Sequence, residues 1–264
     1  MNYEKVHLLM EELKLEGMAR TLDYSLQNWS KEDKDILQLL QELLLAERKE
    51  RMERKYLTAL RYSGLPFHKT LDEFDFTFQP SIDRKQIMEL KTLRFLHEKE
   101  NVVFLGPPGV GKTHLAVALG MEALKEMKKV YFVNAITLVD KLKRAFFEKR
   151  FEKTLAYYKS IDLLIIDELG YLPLDTEGAK LFFELVSEKY EKGSIVLTSN
   201  RGFTEWDKIF DDVVLATAVL DRLLHHCSIV NIRGKSFRLK EKQKIGLVGT
   251  HVLNQNLSSI HKNS

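Results

Sequence analysis

Five short apolar runs alternate with helix-forming segments through the last two thirds of the chain, and this alternation constrains the fold most. Strands that are apolar on both faces and separated by helices form parallel sheets covered by helices on both sides. The runs are VVFLG at 102–106, VYFV at 130–133, DLLIID at 162–167, SIVLTS at 194–199 and SIVNI at 228–232. The sequence therefore predicts an α/β fold with a parallel five-stranded sheet between helices.

The start of the chain has a different pattern, in which leucines recur at helical spacing. A small all-helical N-terminal domain is predicted over residues 1–65, with a long helix from about Lys31 to Tyr62. Gly64 and Pro66 end that helix. We expect the α/β domain to span 66–245, its first strand to be preceded by a helix from about Ser81 to Glu98, and 246–264 to be a disordered tail.

Composition excludes several classes of protein. The formal net charge of the 264 residues is only +3, so a nucleic-acid site would have to depend on local basic clusters. The lone cysteine, Cys227, excludes an internal disulfide and a cysteine-based zinc site. The first residues do not form a signal peptide, and no apolar run reaches the ~18 residues that a membrane span needs. We therefore expect a cytoplasmic protein without a membrane partner.

A glycine-rich loop follows the first apolar run and fits the phosphate-binding spacing G-x-x-x-x-G-K-[ST]. Backbone N–H groups of such a loop, together with the positive end of the next helix, converge on phosphate oxygens. Lys112 is predicted to reach the β- and γ-phosphates of ATP, and the Thr113 hydroxyl to bind Mg²⁺. The expected nucleotide contacts are Gly106, Pro107, Pro108, Gly109, Val110, Gly111, Lys112, Thr113 and His114. A chance match is the alternative, and the flanking strand and helix argue against it.

Polar residues at the ends of two other apolar runs complete a predicted hydrolytic site. Asp167 ends a buried run and is suited to holding Mg²⁺ through its water shell. Glu168 is the predicted base that orients the attacking water, although a solvated carboxylate at a strand end is the plainer interpretation. Asn200 is placed to bond the γ-phosphate or that water, although asparagine is also common in turns. Together these residues predict a Mg²⁺-dependent ATPase.

The order of these motifs is that of AAA+ ATPases rather than of small metabolic kinases, which would need a lid and an acceptor pocket. Three further motifs are more specific: GYLPLD at 170–175, TSNR at 198–201 and LDRLLHH at 220–226. With them the chain resembles the IstB family, the ATP-binding helper proteins of insertion-sequence transposition. It resembles the DnaC-type helicase loaders more distantly. The resemblance covers nearly the whole chain, including the leading helical part.

The resemblance implies a homo-oligomer that assembles on duplex DNA with ATP at the subunit interfaces. Such a protein prepares target DNA and recruits a cognate transposase, and hydrolysis ends or proofreads the assembly. A replicative helicase loader is the alternative, with a protein target. A third interpretation is a nucleotide-dependent scaffold with negligible turnover, against which Glu168 argues.

The resemblance also assigns roles to arginines. Arg222 matches the position of the arginine finger that a neighbouring subunit contributes, although an ion pair with Asp221 or Asp207 would explain it too. Arg238 resembles the second sensor arginine of the same subunit, but only about 26 residues follow it, fewer than a full helical lid has. Arg201 is a rival candidate for either task.

Two other features have plain interpretations beside functional ones. His225, His226 and Cys227 invite a metal-site interpretation. Adjacent residues on a strand edge point to opposite faces, however, so packing and turn roles are expected.

The long N-terminal helix carries Arg48, Arg51 and Arg54, which are candidates for DNA contact. Acidic residues alternate with them, so pairing along a solvated helix explains much of this cluster.

A second basic cluster, at 140–153, is a further candidate for DNA contact. Leu138, Leu142 and Phe146 are predicted to face the core, and Phe147 and Phe151 to lie on an outer face near basic residues. The candidate contacts here are Lys143, Arg144 and Arg150. A third cluster is Arg233, Lys235, Lys240, Lys242 and Lys244. Because such side chains bind phosphate without reading bases, the predicted duplex binding is sequence-tolerant and salt-sensitive.

Overall fold

The chain divides into two compact units, Met1–Arg61 and Tyr62–Ser264. The computed structural model describes residues 2–29 and 35–244. The predicted tail at 246–264 and the predicted helix start at 31–34 lie outside the described residues. None of the described helices combines the length and the hydropathy needed to cross a membrane.

The first unit is helical, as predicted. Its helices are α1 (Asn2–Glu12), α2 (Glu16–Trp29) and α3 (Ile36–Tyr62). The buried apolar side chains that hold them together come from all three helices and are Met10, Met18, Leu22 and Leu43. So small a core leaves much of the stability of this unit to polar contacts between the helices.

Glu47 of α3 supplies the main polar contact, because it caps the amino end of α2. Its buried carboxylate accepts hydrogen bonds from the backbone N–H groups of Gly17 at 2.8 Å and Met18 at 3.3 Å. Arg51 donates to the same carboxylate at 2.6 Å. Burial alone would raise the pKa of Glu47, but the hydrogen bonds from Arg51, Met18 and Gly17 outweigh it and lower that pKa. The negative charge therefore stays where α2 exposes unpaired N–H groups.

The second unit contains the five predicted strands. They are β1 (Asn101–Leu105), β2 (Val130–Asn134), β3 (Leu163–Leu169), β4 (Ser194–Ser199) and β5 (Cys227–Asn231). All neighbouring strands pair in parallel, in the order β2-β3-β4-β1-β5. The carboxyl ends of all five strands therefore meet at one edge of the sheet.

Helices connect the strands and cover both faces of the sheet. They are α4 (Arg84–Lys91), α5 (Arg94–His97), α6 (Lys112–Lys125), α7 (Ala135–Phe147), α8 (Phe151–Lys159), α9 (Thr176–Lys189), α10 (Asp207–Phe210), α11 (Val213–Leu224) and α12 (Phe237–Lys244), with a 3₁₀ turn at Phe203–Glu205. One face of the sheet, including Val103, Leu164 and Leu197, packs in one core with residues of helices α7 to α11. Helix α6 packs against the sheet as well, with Gly120 close to Ile165. Strands β1 and β4, and β3 apart from Glu168, are accordingly buried on both faces, as their apolar runs predicted. The edge strands β2 and β5 are only partly buried, and Ile229 of β5 is exposed.

The single helix predicted over 81–98 is wrong in detail, because two helices, α4 and α5, occupy that range. Asp83 caps α4 by accepting from the backbone N–H of Lys85 at 2.8 Å, so the helix begins at Arg84. The chain then turns at Leu93, whose φ is +60° and whose side chain is buried. Burial of Leu93 thus breaks the helix that the local pattern favours.

The stripe predicted for the segment at 138–151 is only partly right. Leu138 and Leu142 are buried, but Phe146 is 50% exposed and Phe151 is buried. The reason is a chain reversal at Lys149, with φ of +55°, which ends the continuous helix that the prediction assumed. Of the predicted outer pair, Phe147 alone is exposed.

The close approach of α2 to α3 generates a stability prediction. A Cβ added to Gly17 would lie 2.6 Å from the carbonyl oxygen of Ala46 and 2.7 Å from Cα of Glu47, and backbone atoms cannot rotate aside. Gly17→Ala should therefore destabilise the first unit by about 1–3 kcal/mol, more than the helix propensity of alanine returns. Hydrogen exchange read by mass spectrometry should show α2 and α3 exchanging roughly five- to a hundredfold faster.

Gly202→Ala is the matched control, because a Cβ there meets only Thr204 Oγ1, at 4.0 Å. Its exchange should match that of the wild type in every helix. Unchanged protection of α2 and α3 in Gly17→Ala would show that the two helices do not need this approach.

Candidate nucleotide-binding site

The parallel sheet brings the predicted site residues to its carboxyl edge. Gly106 follows β1, Asp167 and Glu168 lie near the end of β3, and Asn200 follows β4. Strand β4 lies between β1 and β3, so these three strand ends are neighbours. Ligands of open α/β sheets bind in this position.

The glycine-rich loop needs glycine at its last turn before α6. Gly111 has φ of +100° and is the N-cap of that helix. A Cβ on Gly111 would lie 2.5 Å from the ring of Phe74. Only glycine satisfies both the left-handed backbone and this contact, so the N–H groups at the start of α6 stay open to an anion.

Lys112 lies in the loop with its ammonium directed back along it. Its Nζ donates to the carbonyl oxygens of Gly106 at 2.7 Å and Pro107 at 2.9 Å. Burial, helped by the positive charge of Arg238, lowers the pKa of Lys112 to about 8, although the charges of Asp167 and Glu168 oppose this. A phosphate group here would stabilise the charged form of Lys112.

Asp167 and Thr113, the two residues predicted to hold Mg²⁺, are hydrogen-bonded to each other. The Thr113 hydroxyl donates to Asp167 at 2.9 Å, and the carboxylate also accepts from Thr198 Oγ1 at 2.5 Å. Asp167 is buried, so these two hydroxyls fix its orientation. The hydroxyl and the carboxylate are oxygen donors of the kind that Mg²⁺ prefers, and they lie beside the phosphate loop.

Glu168 leaves the regular strand geometry. Its φ is +61°, and the pairing of β3 with β4 is irregular between Ile166 and Leu169. The backbone N–H of Glu168 donates to Thr198 Oγ1 at 2.9 Å, and its exposed carboxylate accepts from Asn134 Nδ2 at 2.8 Å. The distortion turns this side chain away from the sheet pleat toward the nucleotide cleft.

Asn134 is the residue that the sequence analysis missed. It ends β2, pairs in register with Asp167, and accepts from the backbone N–H of Ile136 as the N-cap of α7. The available signal was a polar residue at the end of an apolar strand, the same signal that identified Asn200. It was not used because β2 was not known to lie beside β3.

The strand ends border a cleft of about 840 Å³. Predicted residues that line it are Pro108, Gly109, Val110, Gly111, Lys112, Thr113, His114, Glu168, Asn200 and Arg238. Four phenylalanines line it as well: Phe67, Phe74, Phe78 and Phe237. His114 hydrogen-bonds the carbonyl oxygen of Thr70 at 2.8 Å, and burial lowers its pKa. Apolar rings beside a phosphate loop suit a nucleotide with a flat base.

The segment that begins α12 is joined to the phosphate loop. The backbone N–H of Phe237 donates to the carbonyl oxygen of Gly109 at 2.8 Å, and the Phe237 ring meets Phe78 edge to face. Arg238, the next residue, lines the cleft of its own chain. Its position is the one that the resemblance implied, although its role remains a prediction.

Arg201 and Arg222 do not line this cleft. Arg201 donates to the carbonyl oxygen of Gly170 at 2.8 Å and lies 3.8 Å from Glu205. Arg222 lies at the amino edge of the sheet, where the carbonyl oxygen of neighbouring Leu223 accepts from Asn101, the first residue of β1. Its guanidinium covers the ring of Phe183, 4.5 Å from the centroid.

Neither ion pair proposed for Arg222 is present among the described residues. Asp221 and Asp207 do not pair with it, and its guanidinium donates to the carbonyl oxygen of Ala218 at 3.3 Å. Arg222 therefore has no charged partner in the part of the chain that the structure describes.

The histidine pair differs from the strand-edge geometry that was expected. His225 is the C-cap of α11 and His226 lies in the turn before β5, so the two side chains are not on opposite faces of a strand. Their rings contact each other, with 4.2 Å between the ring centroids, and Glu191 lies beside them. Cys227 points elsewhere, toward the carbonyl oxygen of Ser228.

Many of the candidate DNA-contacting residues are already paired. Lys143 binds Asp175 at 2.5 Å, Arg150 binds Glu148, and Arg51 binds Glu47 at 2.6 Å. Arg54 binds Glu16 at 2.8 Å, and Lys240 of the third cluster lies 3.8 Å from Asp75. Arg48 and Arg144 are exposed and have no ion pair within the described residues.

Comparison with known protein families gives one consistent result. The family model described as "IstB-like ATP binding protein" matches residues 8–245. The protein named as the ATP-binding protein of insertion sequence IS21 from Pseudomonas aeruginosa is 46% identical, with 92% of each chain covered. The corresponding IS5376 protein from Geobacillus stearothermophilus is also 46% identical, over 91% of this chain and 96% of its own.

Solved structures with a similar fold include the replication initiator DnaA and the protein DnaI. DnaA bound to AMPPCP and single-stranded DNA has a TM-score of 0.54 at 22% identity, over 73% of this chain and 60% of that chain. DnaI has a TM-score of 0.53 at 20% identity, over 63% of this chain and 92% of that chain. At these identities the likeness shows the fold alone. The chain therefore belongs to the IstB-like ATP-binding protein family and has the AAA+ form of the P-loop α/β fold.

Proposed function

We propose that this protein is an ATPase that oligomerises on duplex DNA and assists the transposition of an insertion sequence. In this proposal it prepares target DNA and recruits or regulates a cognate transposase. The insertion-sequence names of relatives that match over more than nine tenths of the chain support this biological setting. The observation that carries the oligomeric mechanism is the position of Arg222, at the sheet edge opposite the phosphate loop.

Binding of ATP follows from the loop geometry. The N–H groups at the start of α6 and the Lys112 ammonium would hold the phosphates, and Arg238 would add a second positive charge from the same chain. Thr113 would hold Mg²⁺ directly and Asp167 through water, and the ion would neutralise charge on the β- and γ-phosphate oxygens. The phenylalanines of the cleft would surround the base.

Hydrolysis needs a base near the γ-phosphate, and Glu168 is the exposed carboxylate at that place. Its carboxylate would orient the attacking water and accept its proton. Asn134 holds Glu168 at 2.8 Å and so sets the direction of the carboxylate. Asn200, at the end of β4, would bond the γ-phosphate or the water.

Arg222 would complete the site of a neighbouring copy. Strand β1 has five residues, or about 16 Å, and it separates the amino edge from the phosphate loop at the carboxyl edge. Arg222 is therefore better placed to reach the nucleotide site of a neighbouring chain than the site of its own chain. A fixed guanidinium near the developing charge is worth about 10³–10⁵ in rate. This arrangement makes hydrolysis depend on assembly.

Contact with DNA would use the basic residues that remain unpaired. Arg144 and Phe147 are exposed near the end of α7, and Arg48 is exposed on α3. Such contacts hold phosphates without reading sequence, so binding would be sequence-tolerant and weaken with salt.

A helicase loader remains the alternative function. The insertion-sequence proteins, which match at 46% identity, favour the first proposal over it.

Removing the proposed base tests the link between hydrolysis and DNA release. Glu168→Gln should retain ATP binding, lower steady-state ATP hydrolysis at least 100-fold, and prolong the duplex-bound oligomer in ATP. Hydrolysis is measured by phosphate release, and complex lifetime by dissociation from a labelled duplex. Glu126→Gln, at an exposed residue after the far end of α6 and outside the cleft, is the control and should match the wild type. Normal turnover in Glu168→Gln would show that another group is the base.

The lowered pKa of Lys112 predicts how ATP affinity varies with pH. In the free protein this amine loses its proton near pH 8, and bound phosphate would raise its pKa toward the ordinary 10.5. Binding therefore takes up a proton above pH 8, and affinity should fall up to about tenfold per pH unit between pH 8 and pH 10. Isothermal titration calorimetry of ATP binding at several pH values measures this decline in affinity.

Lys112→Arg provides the comparison, because a guanidinium stays charged throughout this range. Its affinity for ATP should be lower than that of the wild type but should not change from pH 8 to pH 10. The same decline in both proteins would place the titrating group elsewhere.

Mixing two inactive variants tests whether Arg222 acts on a neighbour. Arg222→Ala should bind ATP normally and lose at least 100-fold in turnover, while Lys112→Ala should fail to bind ATP. Mixed on duplex DNA, the two should recover part of the activity, since Lys112→Ala copies supply Arg222 to intact phosphate loops. Arg94→Ala, at an exposed arginine of α5 outside the cleft and the basic clusters, should leave turnover unchanged. Mixtures that stay inactive would argue against action on a neighbour.

A further inference from the structure

We propose that His225, His226 and Glu191 form a binding site for a divalent transition-metal ion of the Zn²⁺ class. The site lies at the amino edge of the sheet, opposite the cleft where Mg²⁺ would accompany ATP. Each of the three residues offers one ligand atom, and these atoms all lie within 4.8 Å of one another. Two imidazoles and one carboxylate make the set of three protein ligands that binds Zn²⁺ in many proteins.

The spacing requires only small side-chain movements. Zn²⁺ binds nitrogen and oxygen at about 2.0–2.2 Å, which places tetrahedral ligands about 3.4 Å apart. All three side chains are exposed, so rotation about their own bonds can close the difference without moving the backbone. Water would supply the fourth ligand on the exposed side.

The backbone already holds the three residues in place. His226 accepts a hydrogen bond through its carbonyl oxygen from the N–H of Asn101 at 2.8 Å, which ties the histidine turn to β1. Glu191 has φ of +56° in a tight turn after α9, where Lys192 donates to the carbonyl oxygen of Lys189 at 3.0 Å. The turn thus presents Glu191 toward the histidines.

Tyr190 orients one of the imidazoles. Its hydroxyl lies 3.0 Å from Nδ1 of His225, which leaves Nε2 of that ring for an ion. Metal-binding histidines commonly have a hydrogen-bond partner on the second ring nitrogen, which fixes the ring and its tautomer. Here the partner comes from α9's end, next to the third proposed ligand, Glu191.

The chemistry of the ligands selects the class of metal. Imidazole nitrogens favour Zn²⁺, Co²⁺, Ni²⁺ or Cu²⁺ over Mg²⁺, which prefers oxygen alone. Cys227 adjoins the pair but lies apart from the three ligand atoms, since its sulfur is directed toward the Ser228 carbonyl. A bound ion would be distinct from the Mg²⁺ of the nucleotide site.

The ion would join the ends of two helices. Glu191 follows α9, and His225 and His226 follow α11, so ligation would fasten these helices where Arg222 covers Phe183 of α9. Any effect of the ion on hydrolysis rests on the proposed role of Arg222. Binding itself does not, and it can be measured without ATP or DNA.

Titration of the metal-free full-length protein with Zn²⁺, against a chromophoric chelator, tests the site. The wild type should bind one Zn²⁺ per chain, and millimolar Mg²⁺ should not displace it. His226→Gln, His225→Gln and Glu191→Gln should each weaken binding at least tenfold. His97→Gln, at an exposed histidine on α5, should bind as the wild type does.

Co²⁺ provides an independent signature, since a tetrahedral nitrogen and oxygen site gives visible absorption bands that His226→Gln should lose. Thermal unfolding without metal should be the same in all variants, because the side chains are exposed. Three results would overturn the proposal: no Zn²⁺ bound by the wild type, equal affinity in His226→Gln, or half an ion per chain, which indicates a site shared between copies. A failure of Arg222→Ala mixing experiments would leave this result unaffected.

Discussion

The parallel direction of all five strands is the constraint on which the rest of the second unit depends. It places every strand's carboxyl end at one edge, so that residues scattered over nearly a hundred positions become neighbours. The register of β2 with β3 sets Asn134 opposite Asp167, and the order β3-β4-β1 brings Asn200 and the phosphate loop beside them. An antiparallel strand anywhere in this set would remove one of these groups from the cleft.

Local distortion then supplies what the regular sheet cannot. In an undistorted strand Asp167 and Glu168 would point to opposite faces, and only one of them could face the cleft. The left-handed backbone at Glu168 and the irregular pairing of β3 with β4 let both carboxylates serve one site. Thr198 holds both sides of the distortion, since its hydroxyl contacts the Asp167 carboxylate and the Glu168 N–H. The strained backbone at Glu168 thus lies where the adjacent Asp167 is buried and Glu168 itself is exposed.

Sequence predicted the strands, the phosphate loop and Asp167, because each depends on residues that are adjacent in the chain. It failed where a distant contact decides the local conformation. Burial of Leu93 breaks a helix that its own segment favours. Asn134 was missed because its importance comes from the neighbouring strand, and the histidine pair was misplaced because His225 and His226 lie in the turn at the end of α11 rather than on a strand edge. A turn at Lys149 also ended the continuous helix that was assumed through this segment, and Phe151 in the next helix is buried.

The charges of the chain show why a count of basic residues overstates a DNA surface. Arg51 pairs with Glu47 within α3, and Arg54 pairs with Glu16 of α2, so the second contact joins two helices of the first unit. Lys143 likewise binds Asp175, the N-cap of α9. A phosphate that recruits any of these side chains must first replace a carboxylate, which offsets much of the gain. Under the proposed function, affinity for a duplex would therefore come mainly from cations without a carboxylate partner, such as Arg48 and Arg144, and several copies bound side by side would add their contacts.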